Sequence, residues 1–374
     1  MAVTEPTMNV TEVAVFQVDL PIKDGTYDWS GGQSHASFDS TIVRLQTSEG
    51  ITGWGETTTL GSAYLPAYAG GVRSGIEELV DVVIGADPSQ PAVIGRHMDR
   101  RLRGHPYVKS AVDIACWDIL GKVTGEPVVT LLGGRFEPEV PLYRAISQGS
   151  PSAMADRVTR YRKQGYRRFQ LKIGEDARTD GRRIRAARER LEPDDILIAD
   201  ANTGLTQHDA IRLVKAVEDY DVYIEQPCDT FQSCQTVRQH TDLPYILDES
   251  IDSIDMLVRA YASNAMDVVN LKISKVGGLT KARQFRDLAC ELGVVMIIED
   301  TWASEISTAA MAHLAQSTPP DMRLATTDFF NYNDVTTATG APAVTDGMME
   351  ASSTPGLGVS PDMNILGEPV AVYY

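Results

Sequence analysis

Six short apolar segments each end in a charged residue, and they recur at nearly constant intervals. Lys172 closes RFQLK, Asp200 closes ILIAD, Glu225 closes VYIE, Asp248 closes YILD, Lys272 closes VVNLK and Asp300 closes VMIIED. The successive gaps are 28, 25, 23, 24 and 28 residues. Strands buried on both faces are continuous apolar runs, as in parallel sheets covered by helices. A β-α repeat of this length is what a (β/α)₈ barrel requires, and in that architecture the C-terminal strand ends converge on one mouth. The charged side chains are therefore expected to meet. Three carboxylates between two lysines describe a divalent-metal site flanked by two proton-transfer groups.

The rest of the chain must supply a second unit. Its 374 residues, 43% of them hydrophobic, exceed the ~250 of a bare barrel by more than a hundred. From residue 9 to about 60 the segments VTEVAVFQVDLP and STIVRLQTSEGITGWGE predict a strand meander, turning at Ser48-Glu49-Gly50. Residues 70–133 then predict helices, the last being VKSAVDIACWDILGKVTG with Gly125 and Pro127 ending it. Strands followed by helices form an α+β unit distinct from an alternating one. Alternation starts near Val140, with PLYRAI as strand one and LATTDFF as strand eight. Amphipathic helices such as DGRRIRAARERL fill the gaps. We expect an α+β cap over 1–135, a barrel over 136–340 and a tail over 341–374.

Charge and composition exclude several classes. With 34 basic and 51 acidic residues the net charge is −17, which argues against nucleic acid or an anionic membrane as partner. No run approaches the ~20 apolar residues of a membrane span. MAVTEPTMNV lacks a basic-then-apolar leader pattern, so a cytoplasmic location is the expectation. Cys116, Cys228, Cys234 and Cys290 form no CxxC pair and no zinc spacing, and are expected to be reduced and structural. Only 9 of the basic residues are lysine against 25 arginines, a composition equally suited to an ordinary acidic enzyme and to a salt-adapted one.

Asp200, Glu225 and Asp248 offer three hard oxygen ligands with no His or Cys nearby, which suits Mg²⁺. Without a cation, three buried carboxylates repel one another and lose hydration. Lys172 and Lys272 end strands two and six, opposite each other around an eight-stranded ring. A substrate held between them meets one amine on each face. Metal bound to a substrate carboxylate stabilises the enediolate left when the α-proton departs.

These residues carry a resemblance. DAN (200–202), IEQP (224–227), LDES (247–250) and LKISKVGGL (271–279) are similar to the muconate-lactonizing-enzyme branch of the enolase superfamily. AVDIACWDILGKVTGEPVVTLLGG (111–134) and PGLGVSP (355–361) extend it over nearly the whole chain. The resemblance implies an α/β fold: a modified (β/α)₇β TIM barrel with an α+β capping domain formed by the N-terminal region and the C-terminal tail. It assigns Asp200, Glu225 and Asp248 to one Mg²⁺ per subunit, and Lys172 and Lys272 to acid/base roles. Asn202 and Glu249 become outer partners of the ligands. Gln170 stands where the branch usually carries a second lysine beside Lys172. Strand seven, with Glu299-Asp300-Thr301-Trp302, has no histidine, so a His–Asp dyad is not expected, and His313 is expected to pack within its helix. An even-numbered homo-oligomer is the usual assembly of such relatives.

Gly-rich, aromatic-bearing segments 53–71 and 21–32 are expected as loops closing over a small ligand. With DTW (300–302), GHPYVKSAVDIACWD (104–118) and LYRAIS (142–147), they resemble the branch members acting on proline derivatives. The substrate implied is a small carboxylate or amino acid, contacted by Asp300, Trp302, Asp328 and Tyr64. A quaternary ammonium prefers an aromatic face, and a secondary one prefers a carboxylate. Strand eight ends Thr327-Asp328-Phe329, where betaine epimerases of the branch present tryptophan. Dehydration of a cis-3-hydroxyproline-like substrate is therefore expected, with Lys172 as base and Lys272 as acid. The alternatives are racemisation or epimerisation of proline, its betaine or a related derivative, and more distantly an inactive metal-binding barrel.

Overall fold

The computed structural model describes residues 8–374. The N-terminal unit is an antiparallel sheet of β1 (Val10–Pro21), β2 (Ser37–Thr47) and β3 (Thr52–Thr58) with helices α1 (Ala69–Glu77), α2 (Pro91–Arg101) and α3 (Pro106–Thr124). Close approach of α3 to β3 depends on the GWG sequence. A Cβ at Gly55 would lie 1.9 Å from the Ala111 carbonyl oxygen, and one at Gly53 would lie 2.4 Å from that of Ala115. Residues 53–58, expected both to end the strand meander and to open the loop segment 53–71, belong to β3. The helix ends at Gly125, whose φ of +73° is the left-handed cap glycine tolerates.

The second unit is a ring of eight parallel strands in sequential order. They are β4 (Tyr143–Ile146), β5 (Arg168–Lys172), β6 (Ile196–Asp200), β7 (Tyr223–Glu225), β8 (Tyr245–Leu247), β9 (Val268–Lys272), β10 (Val295–Glu299) and β11 (Arg323–Thr326). A parallel bridge from Leu142 to Thr326 links the first and last strands. Strand eight is shorter than LATTDFF suggests: it stops at Thr326, and Phe329–Tyr332 form a 3₁₀ turn. The chain then returns to the cap, where β12 (Ala371–Tyr373) pairs with β1 through Val13–Tyr373 and Val15–Ala371. Among the described residues no helix is long and apolar enough to cross a membrane. The four cysteines are free thiols, and three of them are buried.

Buried carboxylates from the cap fasten it to the barrel. Glu56 on β3 is fully buried and accepts from Ser40 Oγ (2.7 Å), Ser304 N and Oγ (2.9 and 2.8 Å) and Ser307 N (2.9 Å). It thus caps α4 (Glu305–Gln316), the helix after strand seven. Asp113 likewise accepts from Thr280 N (2.9 Å) in the first turn of the helix Leu279–Leu292. A Cβ on Gly278, at φ +109°, would fall 2.5 Å from Asp113 Oδ2. His313 sits inside α4, as expected for a packed histidine: Nδ1 accepts from Val129 N (3.1 Å), so Nε2 donates to the Leu357 carbonyl (3.1 Å).

Two outcomes follow. Glu56→Ala leaves four or more buried donors without an acceptor, and is expected to cost about 3 kcal/mol in urea unfolding. Burial pushes His313 down to about 4, whereas an unfolded histidine titrates near ~6.5. The unfolded chain binds that proton first, so stability is lost as pH falls through this window, by up to about 3 kcal/mol. The drop in urea midpoint between pH 7 and 4.5 should be smaller in His313→Gln.

Candidate active site

Parallel register brings the charged strand ends level. Lys172 lies opposite Asp200, Asp200 opposite Glu225, and Lys272 opposite Glu299. Side chains alternate between the two faces of a strand. Gln170 and Lys172 therefore share one face of β5, as Asn270 and Lys272 do on β9. Lys172 donates to Asp200 Oδ2 (2.6 Å), and Lys272 donates to Asp248 Oδ2 and to the Tyr64 hydroxyl (2.5 Å). Tyr64, from the loop after β3, in turn donates to Asp248 Oδ2 (3.1 Å). Glu225 accepts from Gln170 Nε2 and Asn270 Nδ2, both at 2.8 Å. Asn202 donates its side-chain amide to Glu249 Oε1 (3.0 Å) and its backbone N–H to Asp200 Oδ1 (2.8 Å). Asn202 and Gln226 hold φ of +39° and +31°, backbone strain located at the mouth itself.

The electrostatics follow from burial and proximity. Burial raises Glu225 well above the usual carboxylate range, and Asp200 and Asp248 add to that. Glu249 is pushed up to about 7 by burial, then by Asp248 and Asp200. Burial disfavours both ammonium groups, yet Asp200 keeps Lys172 above the usual lysine value, and Asp248 with Glu299 does the same for Lys272. Asp248 moves the other way: burial opposes its charge, but Lys272 and Lys275 outweigh that and hold it well below the usual range.

The donor set suits a hard divalent cation. Three mutually repelling carboxylates crowd adjacent strand ends, and Glu249 Oε2 and Asn202 Oδ1 are buried without a partner. As positioned, Asp200 and Asp248 face the lysines, and among the described residues no three His, Cys, Asp or Glu side chains form a ready cage.

The expected substrate contacts fare unevenly. Tyr64 reaches Lys272. Trp302 is 1% exposed, its indole N–H donating to Asn333 Oδ1 (2.8 Å), and its ring packs on Tyr27 (4.9 Å), Phe38 (4.7 Å) and Phe329 (4.8 Å). It joins cap loop to barrel rather than presenting a free face. Asp300 is not at the lysines. Glu299 is the residue of that strand end that reaches Lys272; Asp300, the next residue, is turned away and accepts from Ser274 N and Oγ (3.1 and 2.8 Å) and Thr301 N (2.8 Å). Asp328, one of the residues past the shortened strand eight, accepts from Tyr166 (2.7 Å) and Asn331 (2.8 Å) and lies 3.5 Å from Arg144. Neither is bonded to Lys172 or Lys272.

Three residues escaped the sequence reading. Glu299, hidden before Asp300, stands 3.4 Å from Lys272 and accepts from Tyr143 and from Asn270 (2.9 Å). Lys275, three past Lys272, donates to Asp248 Oδ1 and to its carbonyl oxygen, both at 2.7 Å. Tyr27, within the segment 21–32, places its ring centroid 5.9 Å from Lys172 Nζ. Glu299 is acidic and ends the same apolar run one residue before Asp300, which could have flagged it; Lys275 and Tyr27 lie within the quoted segments 271–279 and 21–32, but no spacing sets either apart.

A (β/α)₇β barrel with paired lysines facing strand-end carboxylates under an α+β cap defines an enolase-type architecture. Residues 11–133 match the mandelate racemase / muconate lactonizing enzyme N-terminal domain, and residues 153–365 match the enolase C-terminal domain-like family. The chain belongs to the mandelate racemase/muconate lactonizing enzyme family of the enolase superfamily. It is 54% identical to cis-3-hydroxy-L-proline dehydratase of Roseibium aggregatum, over 98% of this chain and 100% of that one. N-succinyl-L-Arg/Lys racemase of Bacillus cereus is 29% identical over 83% of this chain and 85% of its own. A family structure from Roseovarius nubinhibens, complexed with magnesium, superposes with TM-score 0.95 at 37% identity, covering 98% of this chain and 100% of that one.

For the Mg²⁺ site proposed below, Lys275→Met is expected to weaken binding roughly 10- to 100-fold, because Asp248 loses one of the groups that orient it. Isothermal titration of the metal-free protein with Mg²⁺ measures this directly.

Proposed function

We propose that the chain is a Mg²⁺-dependent hydro-lyase that removes water from cis-3-hydroxy-L-proline. The observation that carries this is the pair of buried lysines on strands two and six, four strands apart in a ring of eight. The two are close enough for each charge to act on the other. Near-complete identity of span with the Roseibium dehydratase supports the substrate.

Asp200, Glu225 and Asp248 would hold the cation once the two aspartates turn from the lysines, with Asn202, Glu249 and Gln170 bracing them. Bound there, Mg²⁺ supplies positive charge for the substrate carboxylate and for the negative charge that develops as the α-proton leaves. In cis-3-hydroxyproline the hydroxyl is trans to the α-hydrogen, so elimination is anti and needs a base and an acid on opposite faces. Lys172 takes the α-proton. Lys272 protonates the departing hydroxyl, which leaves as water. The ring is left as an enamine that tautomerises to Δ1-pyrroline-2-carboxylate.

The division of labour rests on partners. The carboxylates that act most strongly on Lys172 are Asp200 and Glu225, both metal-ligand candidates, whereas Lys272 retains Glu299 and the Tyr64 hydroxyl. Lys272 is thus the better-held cation and the natural acid. With both lysines 7% exposed or less, substrate entry requires the Tyr27 and Tyr64 segments to move. One Mg²⁺ per subunit of an even-numbered, cytoplasmic homo-oligomer completes the reading, on the resemblance to the family.

Single-lysine variants test the assignment. Lys172→Ala should lose both dehydration and α-hydrogen exchange in D₂O, by roughly 10²–10⁴-fold. Lys272→Ala should lose dehydration while still exchanging the α-hydrogen. Near-normal dehydration by Lys172→Ala would overturn the roles.

A further inference from the structure

Two of the four thiols lie together beside the barrel mouth. Cys228 sits in the turn after β7, and Cys234 in the helix Phe231–Arg238 that follows; both are buried and free. Cys234 Sγ donates to the Cys228 carbonyl oxygen at 3.2 Å. Gln226 Nε2 reaches both that oxygen (3.0 Å) and Cys234 Sγ (3.6 Å). The two thiols are also within hydrogen-bonding reach of each other, which holds Cys228 below its ordinary value and pushes Cys234 up. Burial pushes Cys116 and Cys290 up instead, away from reactivity.

This arrangement divides the labour of an oxidation. The thiolate is the nucleophile, so Cys228 is the thiol that attacks. It directly precedes the exposed residues Asp229 and Thr230, which leaves a small oxidant a short path. Cys234 lies on its inner side, fully buried, where it can resolve what forms.

We propose that Cys228 and Cys234 are a modification site for hydrogen peroxide, closing reversibly to an intramolecular disulfide. The Cys228 sulfur attacks one peroxide oxygen and the O–O bond breaks, giving a sulfenic acid and one water. The Cys234 sulfur then displaces the sulfenic hydroxyl, which leaves as a second water. The two thiols lose two hydrogens and two electrons, and the peroxide takes up both. In a reducing compartment such a bond is transient and follows the oxidant. Gln226 links this pair to the mouth. Its Oε1 accepts from Asp248 N (2.9 Å) and Ser250 Oγ (3.1 Å). Drawing the sulfurs to the ~2.05 Å of a disulfide takes the Cys234 proton from the Cys228 carbonyl, and the Gln226 amide, bonded to both residues, moves with them. Asp248 is a candidate metal ligand, so this consequence, unlike the disulfide itself, rests on the proposed function.

Trypsin releases Cys228 and Cys234 in one peptide, 216–238, and Cys116 and Cys290 in two others. The full chain is treated with hydrogen peroxide, denatured and alkylated with N-ethylmaleimide. Peptide 216–238 should then carry no maleimide and weigh two hydrogens less than its reduced form, while the other two carry one maleimide each. Dithiothreitol before alkylation should restore two maleimides to it. Cys234→Ser should stop at a Cys228 sulfenic acid that dimedone traps, and Cys228→Ser should leave Cys234 open to alkylation. If either variant fails to fold, the wild-type peptide still decides. Two maleimides on that peptide after peroxide, or sulfinic acid in place of the disulfide, overturns the proposal. Titrated with Mg²⁺, the oxidised chain should bind roughly 10-fold more weakly than the reduced one. A disulfide that leaves this affinity unchanged overturns the link through Gln226. A reduced chain that binds no Mg²⁺ counts against the proposed function alone.

Discussion

Everything at the barrel mouth depends on how buried carboxylates are compensated. Asp200, Glu225, Asp248 and Glu299 crowd the barrel mouth out of water, with Glu249 half-buried beside them. Charges in such a place must be paired or they neutralise. Lys172, Lys272 and Lys275 supply the cations, while Gln170, Asn270, Asn202 and Tyr143 supply neutral donors. The acidic side chains still outnumber the lysines, and two buried oxygen atoms, on Glu249 and Asn202, stay unpartnered. On the proposed reading a divalent cation completes that balance by drawing Asp200 away from Lys172, which frees that amine to act as base, while Glu299 keeps Lys272 charged.

The cap solves the same problem with hydrogen bonds. Glu56 and Asp113 spend their charge on the first turns of barrel helices, and Asp118 bridges Trp54 N (3.0 Å) and Leu357 N (2.9 Å). Glu56 and Asp113 thus fix the body of the cap to the barrel, and Asp118 ties it to the C-terminal tail. The segments that carry Tyr27 and Tyr64 bring the cap's own side chains to the two lysines.

Much of this was legible in the sequence, and each failure has a local cause. Strand-end charges at β-α intervals located the lysines and the three carboxylates, because a parallel ring gives every strand the same direction and height. On strand seven two acidic residues are adjacent, and only one can face the mouth: Glu299 does, and alternation sends Asp300 to the opposite face, where it binds backbone and Ser274. On strand eight, pairing ends at Thr326, and Asp328 is drawn into a cluster with Arg144, a partner 184 residues distant. Lys275 and Tyr27 act through contacts that no spacing rule encodes. GWGE was legible both as the end of the strand meander and as the start of a loop; it is strand, and the missing Cβ atoms of its glycines let a helix pack against it.

The central claim is that two opposed lysines and one metal remove water from a hydroxylated proline. Proton NMR of the Mg²⁺-loaded protein in D₂O addresses it most directly, with cis-3-hydroxy-L-proline in one tube and L-proline betaine in another. The account predicts loss of the 3-hydroxyl environment and appearance of pyrroline signals in the first tube. Deuterium at the α-carbon of the betaine, with the hydroxyproline unchanged, would contradict it and make the chain an epimerase.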